Sequence, residues 1–293
     1  MTSIPHLNDG STRAPRLRID INMGNLWALP DWSQGPKGDE LTVLTALKEA
    51  GFEGVQGGDS HLPHAKALGL GCTVSGRINK VGEIAPLADA WAAAGFKAST
   101  LHVGWGHEDD ATIDALVQDV IRASAASGLP IFIETHRATI TQDTWRTVRM
   151  IERNPEIRIN GDFSHWWTGC EMAYGDLEEK LAFLAPVFER VRFMHARLGN
   201  NSHIQMPMSD PTMVDPISAF RSMWTRSMAG FLATARPGDF LSFNPELLPA
   251  SCHYAHEIPG PDGILREASD RWLEALRYVE LAKSCWAAAS AAE

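Results

Sequence analysis

The chain has 293 residues, enough for one large domain or two ordinary ones. With 44% hydrophobic and 21% charged residues, it has neither the low hydrophobicity of a disordered chain nor an apolar run of membrane-spanning length. A formal net charge of −10 argues against nucleic acid as partner, because a polyanion needs a basic surface.

Residues 1–15, MTSIPHLNDGSTRAP, are polar and lack the apolar core of a secretory signal. They read as a flexible leader ahead of a single domain over 16–293, and the expected location is the cytoplasm. Cys72, Cys170, Cys252 and Cys285 are far apart and form no CxxC pair, so neither a zinc knuckle nor a disulfide framework is indicated.

From residue 17 onward, short apolar runs alternate with longer helix-like segments, the pattern of βα units around a parallel sheet. Strands are predicted over 17–22, 54–57, 72–78, 99–104, 130–136, 157–163, 191–197 and 240–246. Helices are predicted over 39–50, 61–69, 83–95, 110–127, 141–152, 176–189, 213–235 and 266–285. In EAGFEG, AAGFKAS and ASGLPIF a glycine closes a helix just before the next strand, where it can take the left-handed cap conformation. Eight such pairs in one chain predict an α/β fold, a single (β/α)8 TIM barrel with its active site at the C-terminal ends of the strands. No GxGxxG follows the first strand, as a doubly wound dinucleotide-binding sheet would require.

Those strand ends carry the chemistry. IFIETHR, INGDFSHW, VRFMHARLG and FLSFNPELLP place Glu134, Asp162, His195 and Glu246 at four consecutive ends. Strand residues two apart share a face, so His136 points with Glu134 and Arg197 with His195; His102 holds the equivalent place on the fourth strand. Charge on a barrel's inner face is costly to bury unless paired or coordinated. Three carboxylates and one imidazole form a hard donor set, suited to one divalent ion, Mn2+ first, with Mg2+, Co2+ or Zn2+ as alternatives.

Glu at the fifth strand, Asp-x-x-His at the sixth, His at the seventh and Glu at the eighth together resemble the xylose-isomerase-like sugar (phosphate) isomerase/epimerase superfamily, from about Leu17 to Leu281. That resemblance implies that Glu134, Asp162, His195 and Glu246 bind one divalent metal and that His165 contacts substrate oxygens. The superfamily also holds endonuclease IV-type repair enzymes, but their further ligands are missing here, Asn201 standing where an Asp would precede His203. An arginine several residues beyond the seventh-strand histidine is common among the epimerases, whereas Arg197 follows His195 by two.

The expected function is sugar isomerisation or epimerisation by proton transfer beside a carbonyl, through a metal-stabilised enediolate. Glu134, Glu246 and His136 are the candidate catalytic groups. His102, His165, Arg197, Trp105 and Trp166 are the candidate substrate contacts, and Trp27, Trp105, Trp166 and Trp167 are read as a stacking wall at the mouth. A metal-dependent lyase or dehydratase on an oxidised sugar or glycoside, with His136 as base, is the alternative; a metal-free accessory barrel is the non-enzyme one. The expected partner is a small carbohydrate, with no nucleic acid or membrane and with self-association left open. The stretch 199–216 is long for a βα loop, and its Met and Pro content suggests a packed lid, with a surface excursion or a subunit contact as the alternatives.

Overall fold

A computed structural model describes residues 4–291. Its eight strands close into one parallel barrel in sequence order: β1 (Arg16–Asn22), β2 (Gly54–Gln56), β3 (Gly71–Ile78), β4 (Ala98–Val103), β5 (Ile131–Glu134), β6 (Ile159–Asn160), β7 (Val191–Ala196) and β8 (Phe240–Pro245). Outside them lie α1 (Glu40–Glu49), α2 (His61–Leu68), α3 (Ile84–Ala94), α4 (Asp110–Ser127), α5 (Thr144–Arg153), α6 (Ser164–Gly169), α7 (Leu177–Phe183), α8 (Ala185–Phe188), α9 (Val214–Leu232) and α10 (Arg271–Ser290). The chain is therefore a single (β/α)8 barrel.

The local chemistry explains the boundaries. Asp39, Asp109, Asp143 and Asp176 cap α1, α4, α5 and α7, each accepting a backbone N–H three residues on that has no partner inside the helix. Gly95 and Gly128 close α3 and α4 at φ of 96° and 70°, a conformation a side chain would disfavour. β5, β7 and β8 are buried throughout, since one face fills the barrel and the other meets helices.

Four expectations change. Met1–Ser3 lie outside the described residues, but the remainder of the expected leader is anchored: Ile4 and Leu7 are buried, and Leu7 and Arg13 accept backbone bonds from Phe240 and Gly238. Two apolar side chains in a polar stretch are enough to seat it. The helix expected over 176–189 breaks into α7 and α8 where Pro186 cannot continue an α-helical ladder. Residues 266 and 267 belong to an antiparallel hairpin, β9 (Glu257–Pro259) with β10 (Leu265–Glu267), and α10 starts only at Arg271. The short α6 lies where a loop was expected, directly after Asp162.

The 199–216 segment is packed, with Ile204, Met206 and Met213 buried. No helix among the described residues is long and apolar enough to cross a membrane.

Candidate metal centre

Each of the four strand-end residues is delivered to one point. Glu134 closes β5, His195 lies in β7 opposite Asn244 of β8, and Glu246 follows the end of β8. Asp162 stands two residues past β6, where the regular ladder has already stopped. The Thr135 hydroxyl replaces it, accepting from the Asp162 N–H and donating to the Asp162 carbonyl, both at 2.9 Å. One ligand atom from each of Glu134, Asp162, His195 and Glu246 lies within 4.8 Å of the other three.

Every carboxylate oxygen in this group has a named partner. Glu134 Oε2 accepts from Asn160 at 3.0 Å, and its Oε1 lies 3.3 Å from His102 Nε2. Asp162 Oδ1 accepts from the Ser164 hydroxyl at 2.6 Å, and its Oδ2 from Arg197 Nη1 at 2.8 Å. Glu246 Oε1 accepts from Asn22 at 2.9 Å, and its Oε2 from Arg197 Nη2 at 2.7 Å.

His195 is fixed by Gln56. Its Nε2 lies 2.7 Å from Gln56 Oε1, an acceptor-only atom, so Nε2 carries the proton. Gln56 is itself held by Thr100 and by Asn22. With the imidazole neutral, His195 Nδ1 presents its lone pair toward the carboxylates, 3.2 Å from one oxygen of Glu134 and of Glu246 but aligned for a hydrogen bond with neither. A buried ring nitrogen in contact with two acids yet unsatisfied marks a place for a cation.

The charge count agrees. Three carboxylates against the one guanidinium of Arg197 leave two negative charges in excess when His195 is neutral. In the ion-free protein a proton on His195 offsets part of this: burial opposes its charge, but Glu246 and Glu134 outweigh burial and push the imidazole up to about 10. Burial works to raise Glu134, while His195 and His102 hold its carboxyl well below the usual range. Asp162 goes the other way, to about 6, because burial outweighs Arg197 and the neighbouring Glu246 and Glu134 add to it. The residues therefore fit one divalent ion in charge, donor type and convergence.

The expected substrate contacts divide. His102 and His136 are half-buried at the mouth, with ring centroids 4.0 Å apart, and together with Glu134 they form a second group of ligand atoms within 4.8 Å. The His136 ring packs in turn against that of His165, tilted by 48° with centroids 3.8 Å apart. Burial, opposed by Glu134 and assisted by His102, lowers His136 to about 4. Its Nδ1 donates to the Arg137 carbonyl, which leaves Nε2 as a neutral acceptor. Trp105 is exposed at the rim, with the Arg77 guanidinium 4.3 Å from its ring.

Three of the named residues are out of a ligand's direct reach. His165 is 2% exposed and lies beneath His136. Arg197 is also 2% exposed, and its guanidinium is spent on Asp162, Glu246 and the Tyr254 ring at 4.5 Å. It orders two acids and does not face the mouth. Trp166 is fully buried, its Nε1 donating to the Thr141 carbonyl at 2.8 Å, and Trp167 is buried beside it. Folding into α6 turned the supposed wall inward, leaving only Trp27 and Trp105 exposed.

Gln56, Asn22, Ser164 and Tyr254 were not anticipated. Asn22 and Gln56 end the apolar runs of β1 and β2 just as the four candidate ligands end theirs, and that was the available signal. A cavity of about 440 Å3, bordered by Asn22, Trp27, Gln56, His61, Ser75 and Glu246, opens beside the centre and is large enough for a monosaccharide. Larger hollows under the 200–203 loop and at the barrel floor gather no comparable set of donors.

Fold and centre together define a (β/α)8 barrel with a carboxylate-and-histidine cluster at the C-terminal ends of its strands. No protein-family model and no curated protein matches the chain in sequence. Solved structures do. A xylose isomerase-like TIM barrel protein from Mycobacterium smegmatis, in complex with magnesium, is similar at TM-score 0.55 and 13% identity, covering 93% of this chain and 98% of that one. The 3-keto-D-glucoside 4-epimerase YcjR from E. coli aligns at TM-score 0.53 and 14% identity over 90% of this chain and 98% of its own. A probable 3-DHS dehydratase, AsbF, involved in petrobactin synthesis in Bacillus anthracis, aligns at 0.52 and 13% over 78% and 92%. At such identities the likeness is one of fold.

Proposed function

We propose that the protein is a divalent-metal-dependent sugar isomerase or epimerase that moves a proton at a carbon beside a carbonyl. The observation that carries this reading is the convergence of Glu134, Asp162, His195 and Glu246 within 4.8 Å next to a monosaccharide-sized cavity. The names of two similar barrels, the 3-keto-glucoside epimerase and the magnesium-bound xylose isomerase-like protein, point the same way. These four residues would hold the ion, with Mn2+, Mg2+ or Co2+ suited to the oxygen-rich set. When bound, it supplies Lewis acidity to a substrate carbonyl, worth several kcal/mol.

The protein's own groups do the proton work. Glu246 borders the cavity, and its 14% exposed side chain is the most accessible of the three acids. It is the base in this reading. For epimerisation in this reading Glu134, on β5, delivers a solvent-derived proton to the opposite face while Glu246 keeps the one it took; delivery by Glu246 to the neighbouring carbon gives isomerisation. Asn22 and Arg197 hold Glu246 in one orientation, so little reorganisation is needed when the proton moves.

A second reading, elimination from an oxidised sugar, rests on His136. It is half-exposed, neutral and has a free Nε2, and it could take the proton while a leaving group departs from the adjacent carbon. The test separates the two. Metal-loaded protein incubated with a ketose panel in deuterated water should place deuterium beside the carbonyl, with no unsaturated product. An unsaturated product assigns elimination, and the absence of both across the panel would contradict the reading.

A further inference from the structure

Arg77 is the one rim guanidinium on the inner face of β3, and no role in ion binding or proton transfer uses it. Along β3, Thr73, Ser75 and Arg77 share one face and Cys72, Val74 and Ile78 the other. Ser75 borders the cavity that Glu246 also lines, and Arg77, two residues farther along β3 and paired in register with His102, stands beyond it at the rim.

Its guanidinium is held in place without being neutralised. Nη1 donates to the Gly104 carbonyl at 2.7 Å, and Cζ lies 4.3 Å from the centre of the exposed Trp105 ring. Nε and Nη2 make no hydrogen bond with the described residues, and no carboxylate among them lies within 4.0 Å of the group. The acids that act on it, Glu134 and Glu108, are both committed elsewhere. Glu134 belongs to the metal centre, and Glu108 accepts from the Trp105 and Gly106 N–H groups at 2.8 Å each.

With a divalent ion in place the charge of the centre below is offset, leaving Glu108, whose oxygens are taken by backbone N–H groups, as the acid still acting on Arg77 without pairing to it. An immobilised planar fork with two free donors suits a carboxylate, which it can meet with two parallel bonds. A phosphate would also want backbone N–H groups, and those nearest are already occupied by Glu108.

We infer that Arg77 anchors a substrate carboxylate, so the site takes sugar acids in preference to neutral sugars. This rests on the proposed sugar chemistry for the site but is tested apart from turnover. The probes are D-glucuronate against D-glucose, D-galacturonate against D-galactose, and D-fructose 6-phosphate against D-fructose, titrated calorimetrically into Mg2+-loaded protein. In at least one uronate pair the acid should bind about 10- to 100-fold more tightly, the range expected of a charged hydrogen-bonded pair. Arg77→Gln should erase that advantage and Arg77→Lys restore part of it, with Mg2+ affinity unchanged in both as the check that the centre is intact. Acids binding no better than their neutral partners, an advantage that survives Arg77→Gln, or a preference confined to the phosphate each overturn the inference. Deuterium exchange on neutral ketoses alongside such a failure would leave the isomerase reading standing; tight acid binding with neither exchange nor elimination would do the reverse.

Discussion

The barrel interior buries charge at two levels, and the levels solve the problem differently. Lower down, Arg18 donates twice to Asp20 Oδ2 and Ser242 donates to the same oxygen, so one acid meets one base. At the mouth, three carboxylates meet one arginine and one histidine; each level also leaves one buried atom without a partner, Asp20 Oδ1 below and His195 Nδ1 above, so the contrast lies in the charge. A self-balanced pair is architecture. An unbalanced set at the C-terminal ends of the strands invites a cation, and the upper level rather than the lower is where we propose the chemistry.

Substitutions can break this contrast. The largest effects should come from stranding a buried charge. Asp20→Asn leaves Arg18 without its acid and should cost about 3–5 kcal/mol of stability in denaturant titration, with ion stoichiometry retained. Arg197→Met strands Asp162 and Glu246 and should cost a similar amount in the ion-free protein, but saturating divalent ion should recover much of it. Recovery by ion in the Arg197 variant and none in the Asp20 variant is the signature of the two levels.

Gln56→Leu should act through His195 and, by releasing Asn22, through Glu246. Losing the acceptor at Nε2 frees the tautomer, and divalent-ion affinity should fall about 10- to 100-fold by calorimetry while the fold persists. Unchanged affinity would remove Gln56 from the account.

The pH dependence sharpens the same point. In the ion-free protein His195 is raised from an ordinary 6.5 to about 10, so its contribution to stability is complete below about 6.5 and is lost as pH rises through about 10. In the loaded protein the imidazole must be neutral, so that loss is absent. The gap in Tm between loaded and ion-free protein should therefore widen from pH 7 to pH 10, and a constant gap would exclude His195 as a ligand. The smallest effect is expected of Trp166→Phe, which removes one buried hydrogen bond, about 1 kcal/mol, with no change in KM.

How much of this was legible in the sequence varies with how local each feature is. The eight strands were, because buried parallel strands are apolar runs bounded by caps, and the donor residues showed as polar interruptions at their ends. β6 keeps only two residues of ladder, yet Asp162 still arrives because Thr135 stands in for the missing backbone partner, a contact between strands that spacing cannot reveal. Arg197 shares His195's inward phase, as its spacing said, but its partners lie 35 and 49 residues away, so nothing local distinguished a clamp from a substrate contact. Trp166 and Trp167 follow a strand end, and only the six-residue α6, too short for a periodic signal, turns them inward. β9 and β10, three residues each and largely exposed, fall below any pattern threshold.

The central claim is that Glu134, Asp162, His195 and Glu246 hold one divalent ion. Metal content measured after chelation, reloading with Mg2+ or Mn2+ and gel filtration tests it most directly. The account predicts one ion per chain in the native protein and none in folded Asp162→Asn or Glu246→Gln. A native protein that takes up no ion, or variants that retain it at full occupancy, would contradict the assignment.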